Sequence, residues 1–298
     1  MSLLVLGTVA LDTVKTPHGE RKQMLGGSAA HFSMSARLFT DVHLVAVVGE
    51  DFPDKHVDFL KRKGLIIDSL IRESGKTFSW SGEYKGDLNT AFTLNTELGV
   101  LATFKPVISE RQKNIKNVFL ANVDPDIQLE LLRCMRMPRL TGLDSMNYWI
   151  DNKRSALLKV LKEVDIFVAN DQETRSLSGE NNLIKAAKSL SGMGPKMVLI
   201  KKGEHGVFFY SDKFMLALPA YPAEDVIDPT GAGDTFAGAF MGYLSRAKSL
   251  NRQNLKRALE YGTIAASFNI EDFGLDRTHQ LTIKQLNSRL RFFEKCLL

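Results

Sequence analysis

Short apolar runs alternate with helical repeats of apolar residues along most of the chain. Five runs have the length and continuous apolar character of buried strands: 3–6, 44–48, 118–121, 165–169 and 197–201. Segments with helical spacing lie near or between them: 27–39, 53–63, 125–135, 153–163 and 182–192. This alternation predicts an α/β fold, with a doubly wound, mainly parallel sheet flanked by helices. Ligands of such sheets bind beyond the carboxyl ends of the strands.

One segment departs from this pattern and predicts a β-hairpin. Aromatic and aliphatic residues take alternate positions in two runs separated by a turn at 86–89: Phe78, Trp80 and Tyr84, then Phe92, Leu94 and Leu98. With the polar extended segment 13–23, the hairpin favours a small β lid over the site. A dimer surface, or an edge extension with no role in binding, is the alternative. We therefore expect a core of 1–12, 25–75 and 105–298, and a lid of 13–24 and 76–104.

Composition narrows the class of protein. The chain has 298 residues, of which 44% are hydrophobic and 24% charged, and its formal net charge is +5. The positive charges are spread out, so a nucleic-acid partner is not expected. No apolar run is long enough for a membrane span, and no basic segment precedes the first apolar run, so we expect neither a membrane partner nor a signal peptide. Cys134 and Cys296 form no disulfide or zinc pattern, which favours a cytoplasmic protein.

The segment 228–238, Asp-Pro-Thr-Gly-Ala-Gly-Asp-Thr-Phe-Ala-Gly, carries the clearest chemical signal. The helical spacing of Phe236, Phe240, Tyr243 and Leu244 indicates that the glycine turn opens a helix. Unpaired N–H groups at a helix start bind anions, and Asp234 beside them suits proton removal from a hydroxyl that attacks a phosphoryl group. Ordinary helix capping is the alternative.

Other candidate residues are weaker when taken singly. Gly26 and Gly27 precede a helix, and Asp12 follows the first strand. Asn170 and Glu173 have the spacing of a capping box, which is compatible with holding a hydrated Mg²⁺. The segment 201–206, Lys-Lys-Gly-Glu-His-Gly, reads as a tight turn between strands that could also flank a nucleotide.

Taken together, the three motifs resemble those of the ribokinase family, also called the PfkB carbohydrate kinase family. The turn 228–236 is similar to that family's C-terminal signature, Gly26-Gly27 to its N-terminal glycine pair, and 170–173 to its Asn-x-x-Glu motif. The resemblance covers essentially the whole chain. It implies ATP-dependent phosphoryl transfer to a primary hydroxyl of a small sugar or ribonucleoside, with ATP and Mg²⁺ as cofactors.

The resemblance also implies a role for each residue. Asp234 would be the general base, and the amides of Gly231, Ala232 and Gly233 the anion hole. The remaining residues divide by ligand: Asp12, Gly26, Gly27 and His31 for the acceptor; Lys201, Gly203, Gly206 and Asn170 for the nucleotide; Asn170 and Glu173 for Mg²⁺; Asp228 and Thr230 for a monovalent cation such as K⁺. Residues 265–274 would flank the adenine.

Two positions depart from the family pattern. His31 stands where family members often have Asn, and Lys201 stands where Thr or Ser is common. The acceptor stays open between a free sugar and a nucleoside, because Phe78, Trp80, Tyr84, Tyr148 and Trp149 suit either base stacking or a packed interior. A non-catalytic nucleotide- or sugar-binding sensor is the alternative function, although binding alone does not need Asp234. The fingerprints of nicotinamide dehydrogenases and P-loop kinases are missing from the sequence.

Overall fold

A large, mainly parallel sheet forms the centre of the molecule. The structure is a computed structural model, and it describes residues 1–86 and 88–297. Within them the strand order is β13-β12-β11-β10-β9-β8-β1-β4-β5. The strands of this sheet are β1 (Ser2–Leu6), β4 (Asp41–Gly49), β5 (Ile66–Glu73), β8 (Asn117–Leu120), β9 (Leu140–Asp144), β10 (Ile166–Asn170), β11 (Met197–Lys201), β12 (Val207–Ser211) and β13 (Met215–Leu218).

All five predicted strands are present, and their continuous burial explains why the apolar runs revealed them. The strands from β5 to β11 pair in parallel, whereas β12 and β13 add antiparallel pairs at one edge. From β1 the chain moves to β4 and β5 on one side, and later returns to β8 on the other. Such a switch point opens a crevice at the carboxyl ends of the strands.

Ten α-helices lie in the described ranges. The five predicted helices correspond to α1 (Ser28–Ala36), α2 (Asp54–Arg62), α3 (Pro125–Cys134), α5 (Arg154–Leu161) and α7 (Leu183–Gly192). The others are α4 (Asn147–Asn152), α6 (Asp171–Ser178), α8 (Ala232–Arg246), α9 (Arg252–Asn269) and α10 (Ile283–Cys296). The predicted fold class, a doubly wound α/β sheet with a separate small sheet, is confirmed.

The predicted hairpin is part of a four-stranded small sheet with the order β3-β2-β6-β7. Its strands are β2 (Ala10–Thr16), β3 (Gly19–Gly26), β6 (Ser79–Tyr84) and β7 (Ala91–Glu97). Strand β6 pairs antiparallel with β7 and parallel with β2. Asp12 and Gly26 lie within this sheet. The predicted turn at 86–89 is described except for Asp87, which lies outside the described residues.

Helix α8 lies against α1 in the interior. Gly238 permits this contact, because a Cβ there would lie 2.1 Å from the carbonyl oxygen of Phe32. Phe32 in turn stacks on Phe119 of β8 at a centroid distance of 4.5 Å. The predicted apolar face of α8 faces the interior: Phe236, Phe240 and Leu244 are buried, and Tyr243 is half-buried. This packing fixes the start of α8 at the carboxyl edge of the sheet. No helix in the described ranges combines the length and apolar character that a membrane crossing requires.

Candidate active site

The glycine turn predicted to open a helix does so at Gly231, the N-cap of α8. Gly231 has a φ of +73°, a left-handed conformation that favours glycine. The amide of Ala232 donates to the carbonyl of Pro229 at 3.1 Å, so this predicted anion-hole donor is engaged within the turn. Among the described residues, the amides of Gly231, Gly233 and Asp234 have no protein acceptor. Three N–H groups thus remain available beside the carboxylate.

His31 lies behind this turn. A Cβ on Gly231 would stand 2.2 Å from Nδ1 of His31, so the imidazole packs directly on the glycine backbone. The ring is 2% exposed, and its Nδ1 lies 3.1 Å from Oδ1 of Asn269. Burial lowers the pKa of His31, against the opposing effects of Asp228 and Asn269, so the ring is neutral. In the structure, His31 therefore supports the turn, and its ring is hardly accessible to a ligand. Its predicted contact with the substrate stays a prediction.

Asn269, at the end of α9, joins three parts of the site. Its Oδ1 accepts a hydrogen bond from Oγ1 of Thr235 at 2.8 Å, and its Nδ2 donates to the carbonyl of Thr230 at 2.7 Å. With the contact to His31, this amide side chain ties α1, α9 and the glycine turn together. No local sequence signal points to this role of Asn269, because its partners are distant along the chain.

Asp234 lies in the first turn of α8 and is partly exposed. Its surroundings raise its pKa to about 8; burial is the largest cause, followed by the charge of Asp144. Lys201 opposes this rise, whereas Glu173 and Asp12 add to it. A carboxyl group with a pKa near neutrality suits proton exchange with a hydroxyl group at physiological pH.

Asp12 and the glycine pair are adjacent, as their predicted shared role requires. Oδ2 of Asp12 accepts a hydrogen bond from the amide of Gly27 at 3.1 Å. A Cβ on Gly26 would stand 2.0 Å from that same oxygen, so only glycine lets the carboxylate lie there. Burial raises the pKa of Asp12 to about 7, against the lowering effect of the Gly27 amide and with a further rise from Asp228.

Asn170 and Glu173 form the predicted capping box at the start of α6. Oδ1 of Asn170 accepts from the amide of Glu173 at 2.8 Å, and Oε2 of Glu173 accepts from the amide of Asn170 at 2.7 Å. Burial raises the pKa of Glu173 to about 7, with a further rise from Asp144 and an opposing effect of Lys201. Glu173 thus caps the helix, and its buried carboxyl group also interacts electrostatically with charged residues near Asp234.

Lys201 ends β11 and pairs with Asp144 at the end of β9, with 2.9 Å between Nζ and Oδ2. A Cβ on Gly233 would stand 2.9 Å from the same Nζ, so the ammonium group reaches the start of α8. Burial lowers the pKa of Lys201, but Asp144, Glu173 and Asp234 outweigh it and raise the value. Asp144 was not predicted. Its place at the carboxyl end of a strand was the available signal, but Thr141 and Gly142 interrupt the apolar run of that strand.

Asp228 and Thr230 lie before the glycine turn and contact the small sheet. Asp228 is fully buried, and its oxygens accept hydrogen bonds from the amides of Thr230 at 2.8 Å and Gly274 at 3.0 Å. Oγ1 of Thr230 lies 3.3 Å from the hydroxyl of Tyr84 on β6. Burial raises the pKa of Tyr84 to about 12, so the phenol stays protonated. Tyr84 therefore links the small sheet to the turn.

A cleft of about 450 Å³ opens beside the start of α8. Lys201, Gly203 and Gly206 line one side, where a 3₁₀ turn at Gly203–His205 joins β11 to β12. Residues of α8 and α9 line the other side, including Ala232, Gly233, Phe236, Ala266 and Ser267, together with Ile270 directly after α9. The predicted nucleotide residues Lys201, Gly203 and Gly206 therefore share one cleft with part of the segment 265–274, whereas Asn170 does not line it. The volume of the cleft suits a small-molecule ligand.

The predicted aromatic residues do not gather around this cleft. Trp80 lies over Gly82 of its own strand and donates from Nε1 to Oγ1 of Thr93 at 3.2 Å. Trp149 is buried and donates to Oδ1 of Asn122 at 2.9 Å, while Tyr148 is exposed. Phe78 packs into the main core. Tyr84 alone among the predicted aromatic residues contacts the glycine turn through a hydrogen bond.

In residues 1–86 and 88–297, no cluster of three or more His, Cys, Asp or Glu side chains is arranged to bind a metal directly. Asp144 nevertheless raises the pKa of Glu173, and both residues raise the pKa of Asp234. Such a group of charges fits a Mg²⁺ ion that keeps several of its waters. Glu173 and Asn170 would hold such an ion through water molecules.

Comparison with known proteins agrees with the geometry. The profile of the pfkB family carbohydrate kinases matches residues 4–280. The cytidine kinase of Thermococcus kodakarensis is 34% identical over 269 residues, which cover 87% of this chain and 95% of that protein. Two solved structures share the fold: the nucleoside kinase of Methanocaldococcus jannaschii, an archaeal member of the ribokinase family (TM-score 0.78, 21% identity, 98% of each chain), and Arabidopsis thaliana ribokinase complexed with ribose and ATP (TM-score 0.79, 20% identity, 97% and 98% of the two chains).

A chain with this sheet, this glycine turn and this cleft is a phosphotransferase of the sugar and nucleoside kinase class, whose acceptor group is a hydroxyl. The chain belongs to the pfkB family of carbohydrate kinases, as the sequence resemblance predicted. ATP and Mg²⁺ are typical of this family.

Proposed function

We propose that the protein transfers the γ-phosphate of ATP to a primary hydroxyl group of a ribonucleoside or a small sugar, with Asp234 as general base. The observation that carries this proposal is the placement of Asp234 beside three unbonded amides, next to a nucleotide-sized cleft. The Asp234 carboxylate takes the proton of the acceptor hydroxyl, whose oxygen forms a bond to the γ-phosphorus. The bond between that phosphorus and the β–γ bridging oxygen breaks, and ADP leaves.

The amides of Gly231, Gly233 and Asp234 support the transferring phosphoryl group. These N–H groups lie at the positive end of α8, and Lys201 adds a full charge close to Gly233. Ala232 is a weaker donor than the resemblance implied, because its amide already bonds to Pro229. Mg²⁺, held through water by Asn170 and Glu173, neutralises phosphate charge when it is bound.

The acceptor binds against Asp12, Gly26 and Gly27 in this proposal. Oδ2 of Asp12 lies beside a glycine pair that leaves the backbone open to close approach. The small sheet, with the proposed boundaries 13–24 and 76–104, acts as a lid that keeps water from the reacting groups. Its link from Tyr84 to Thr230 supports this role, because it connects the sheet directly to the catalytic turn.

A ribonucleoside is our preferred acceptor, with cytidine first, because a cytidine kinase is 34% identical over most of the chain. A coupled assay of ADP release over ribonucleosides, pentoses and hexoses tests this preference. We expect kcat/KM to be highest for a ribonucleoside. A higher kcat/KM for a free sugar would instead indicate a sugar kinase that performs the same phosphoryl transfer. No turnover with any acceptor would favour the alternative of a nucleotide-binding sensor.

We also propose that a monovalent cation such as K⁺ binds near Asp228 and Thr230. Asp228 is fully buried, and in the described part of the chain no Lys or Arg forms an ion pair with it. A buried carboxylate with only amide partners favours a bound cation. Replacing K⁺ by Li⁺ should lower kcat in the wild type, whereas equal rates in both salts would contradict this site.

A homodimer through the small sheet is the last part of the proposal. Strand β7 is an edge strand and is exposed along its whole length, and Phe92 and Leu94 are more than half exposed. Exposed apolar edge strands favour pairing with another chain. Sedimentation of the wild type should show a dimer that Leu94→Lys weakens, and a wild-type monomer would contradict it.

A further inference from the structure

A second cavity, of about 560 Å³, lies at the edge of the main sheet opposite the candidate active site. It is bordered by the amino ends of neighbouring parallel strands, where Ser2 begins β1 and Asn117 begins β8. The candidate active site uses the carboxyl ends of the same sheet. Strands of five residues span about 15–20 Å, so the two sites are separate.

The rim of this cavity is strongly basic. Four cationic side chains line it: Arg111, Lys116, Arg139 and Lys248. Within the described ranges, none of them forms an ion pair with a carboxylate. Asp41 and Asp68 act electrostatically on the nearby His43, but neither lines the cavity. Four cations around one concave surface create a positive potential that favours an anion.

Two of these four cations hydrogen-bond to neighbouring backbone, and the other two do not. Arg139 donates to the carbonyl oxygens of Leu244, Ser245 and Ala247, so it stabilises the end of α8. Lys116 donates to the carbonyls of Arg136 and Met137. The side chains of Arg111 and Lys248, by contrast, make no hydrogen bond to any described residue and are exposed. Their charge is therefore available to a ligand.

His43 adds a buried polar group to the cavity wall. Its side chain is 7% exposed, its Nδ1 is buried, and neither ring nitrogen has a hydrogen-bond partner in the described part of the chain. Burial lowers the pKa of His43, with opposing effects of Asp68 and Asp41 and a further lowering by Arg111. A buried imidazole nitrogen without a protein partner is uncommon in a folded interior, and it places a polar ring in the cavity wall.

We propose that this cavity binds a small phosphorylated metabolite, with Arg111 and Lys248 on its phosphate group and the organic part within the remaining volume. Guanidinium and ammonium groups are the side chains that favour phosphate, through charge-assisted hydrogen bonds. A cavity of 560 Å³ is far larger than the five heavy atoms of a phosphate ion require. Ile115, Ala247 and Met1 supply apolar surface for a further part of the ligand.

Calorimetry on the full chain, saturated with ADP and Mg²⁺ to fill the nucleotide cleft, tests the proposal. The probes are phenyl phosphate, which has an organic part, and inorganic phosphate. We expect phenyl phosphate to bind more tightly than inorganic phosphate. Arg111→Ala with Lys248→Ala should weaken phenyl phosphate binding by about tenfold or more, because the charge-assisted hydrogen bonds to its phosphate group are lost.

The matched control is Lys61→Ala with Arg62→Ala, which removes the same charge from an exposed helix end elsewhere. It should leave the affinity for phenyl phosphate within about twofold of the wild type. Equal weakening in both double variants would mean a general charge effect and would overturn the site, as would no binding at millimolar concentration. If inorganic phosphate binds as tightly as phenyl phosphate, the cavity does not hold the organic part of the ligand, and the proposal is wrong.

Discussion

Gly231 and His31 form a contact that leaves no room for a side chain between them. Gly231 combines a φ of +73° with a Cβ position 2.2 Å from the imidazole, so an alanine there meets both backbone strain and a steric clash. Strained backbone of this kind costs about 1–3 kcal/mol. The glycine turn before α8 therefore depends on a glycine that is required because of a residue from another helix.

A double-mutant cycle tests that contact. Gly231→Ala should lower the free energy of unfolding by at least the cost of its backbone strain and should strongly reduce turnover. In a chain that already carries His31→Ala, the same change should cost less, because the clash with the ring is gone while the φ strain remains. Denaturant unfolding of the four proteins measures the coupling, and strictly additive values would contradict the packing of His31 on Gly231.

Asp234 should destabilise the protein in which it performs its proposed role. Its pKa is raised from 3.8 to about 8 in the folded chain. Between those values the folded state binds more protons than the unfolded state, so stability falls as pH rises through this window. Asp234→Asn removes the titrating group, and its Tm should exceed that of the wild type at pH 8, with little difference near pH 4. An equal difference at both values would argue against the raised pKa.

Burial is the largest cause of the raised pKa of Asp234, and the ends of β9 and β11 shift that pKa further in opposite directions. Asp144 at the end of β9 raises its pKa, whereas Lys201 at the end of β11 lowers it. The two residues also neutralise each other across 2.9 Å. The two strands that flank β10 thus place opposite charges near the start of α8.

The pH dependence of kcat/KM reports this balance, because it follows the ionisation of the free enzyme. We expect kcat/KM to rise with pH as Asp234 ionises. Asp144→Asn should move the midpoint of this rise to lower pH, and Lys201→Met should move it to higher pH. Lys202→Met is the matched control and should leave the midpoint in place. Shifts of the two variants in the same direction would contradict the proposed electrostatic roles.

The small sheet is attached to the core near the catalytic turn. Val14, Tyr84 and Leu88 pack with Phe273, which follows α9, and the guanidinium of Arg21 lies 5.2 Å from the Phe273 ring. These contacts hold the sheet next to Gly274, whose amide bonds to Asp228. The same residues therefore anchor both the sheet and the turn.

Phe273→Leu should loosen this attachment while keeping an apolar side chain. We expect a higher KM for the acceptor and more ATP hydrolysis without transfer, because water gains access to the phosphoryl group. The KM for ATP should change little. Ile184→Ala, at an exposed position on α7, is the control. Tight coupling of hydrolysis to transfer in Phe273→Leu would contradict the proposed lid.

Across the molecule, features with local signals were predictable from the sequence. The buried strands, the helix opened by 228–234 and the capping box of Asn170 each follow from residues close together in the chain. Strand β9 was missed because Thr141 and Gly142 interrupt its apolar run, and Asp144 was missed with it. The roles of Asn269 and His31 depend on partners brought together only by the packing of α1, α8 and α9. The strand order likewise follows from long-range packing.

Helix α8 spans the molecule between its two proposed sites. Its first turn carries Asp234, and its last carbonyls bond to Arg139 beside the basic cavity. Its 15 residues extend over about 22 Å. The phosphorylated ligand proposed for that cavity would therefore bind at the far end of the catalytic helix.

The central claim is that Asp234 removes a proton during phosphoryl transfer. The most direct test is single-turnover phosphate transfer by the wild type and Asp234→Asn with the best acceptor, with ATP binding measured on the same samples. The claim predicts a rate lower by roughly 10²–10⁴, the usual loss for a general base, with ATP affinity nearly unchanged. Near-wild-type transfer in Asp234→Asn would contradict it.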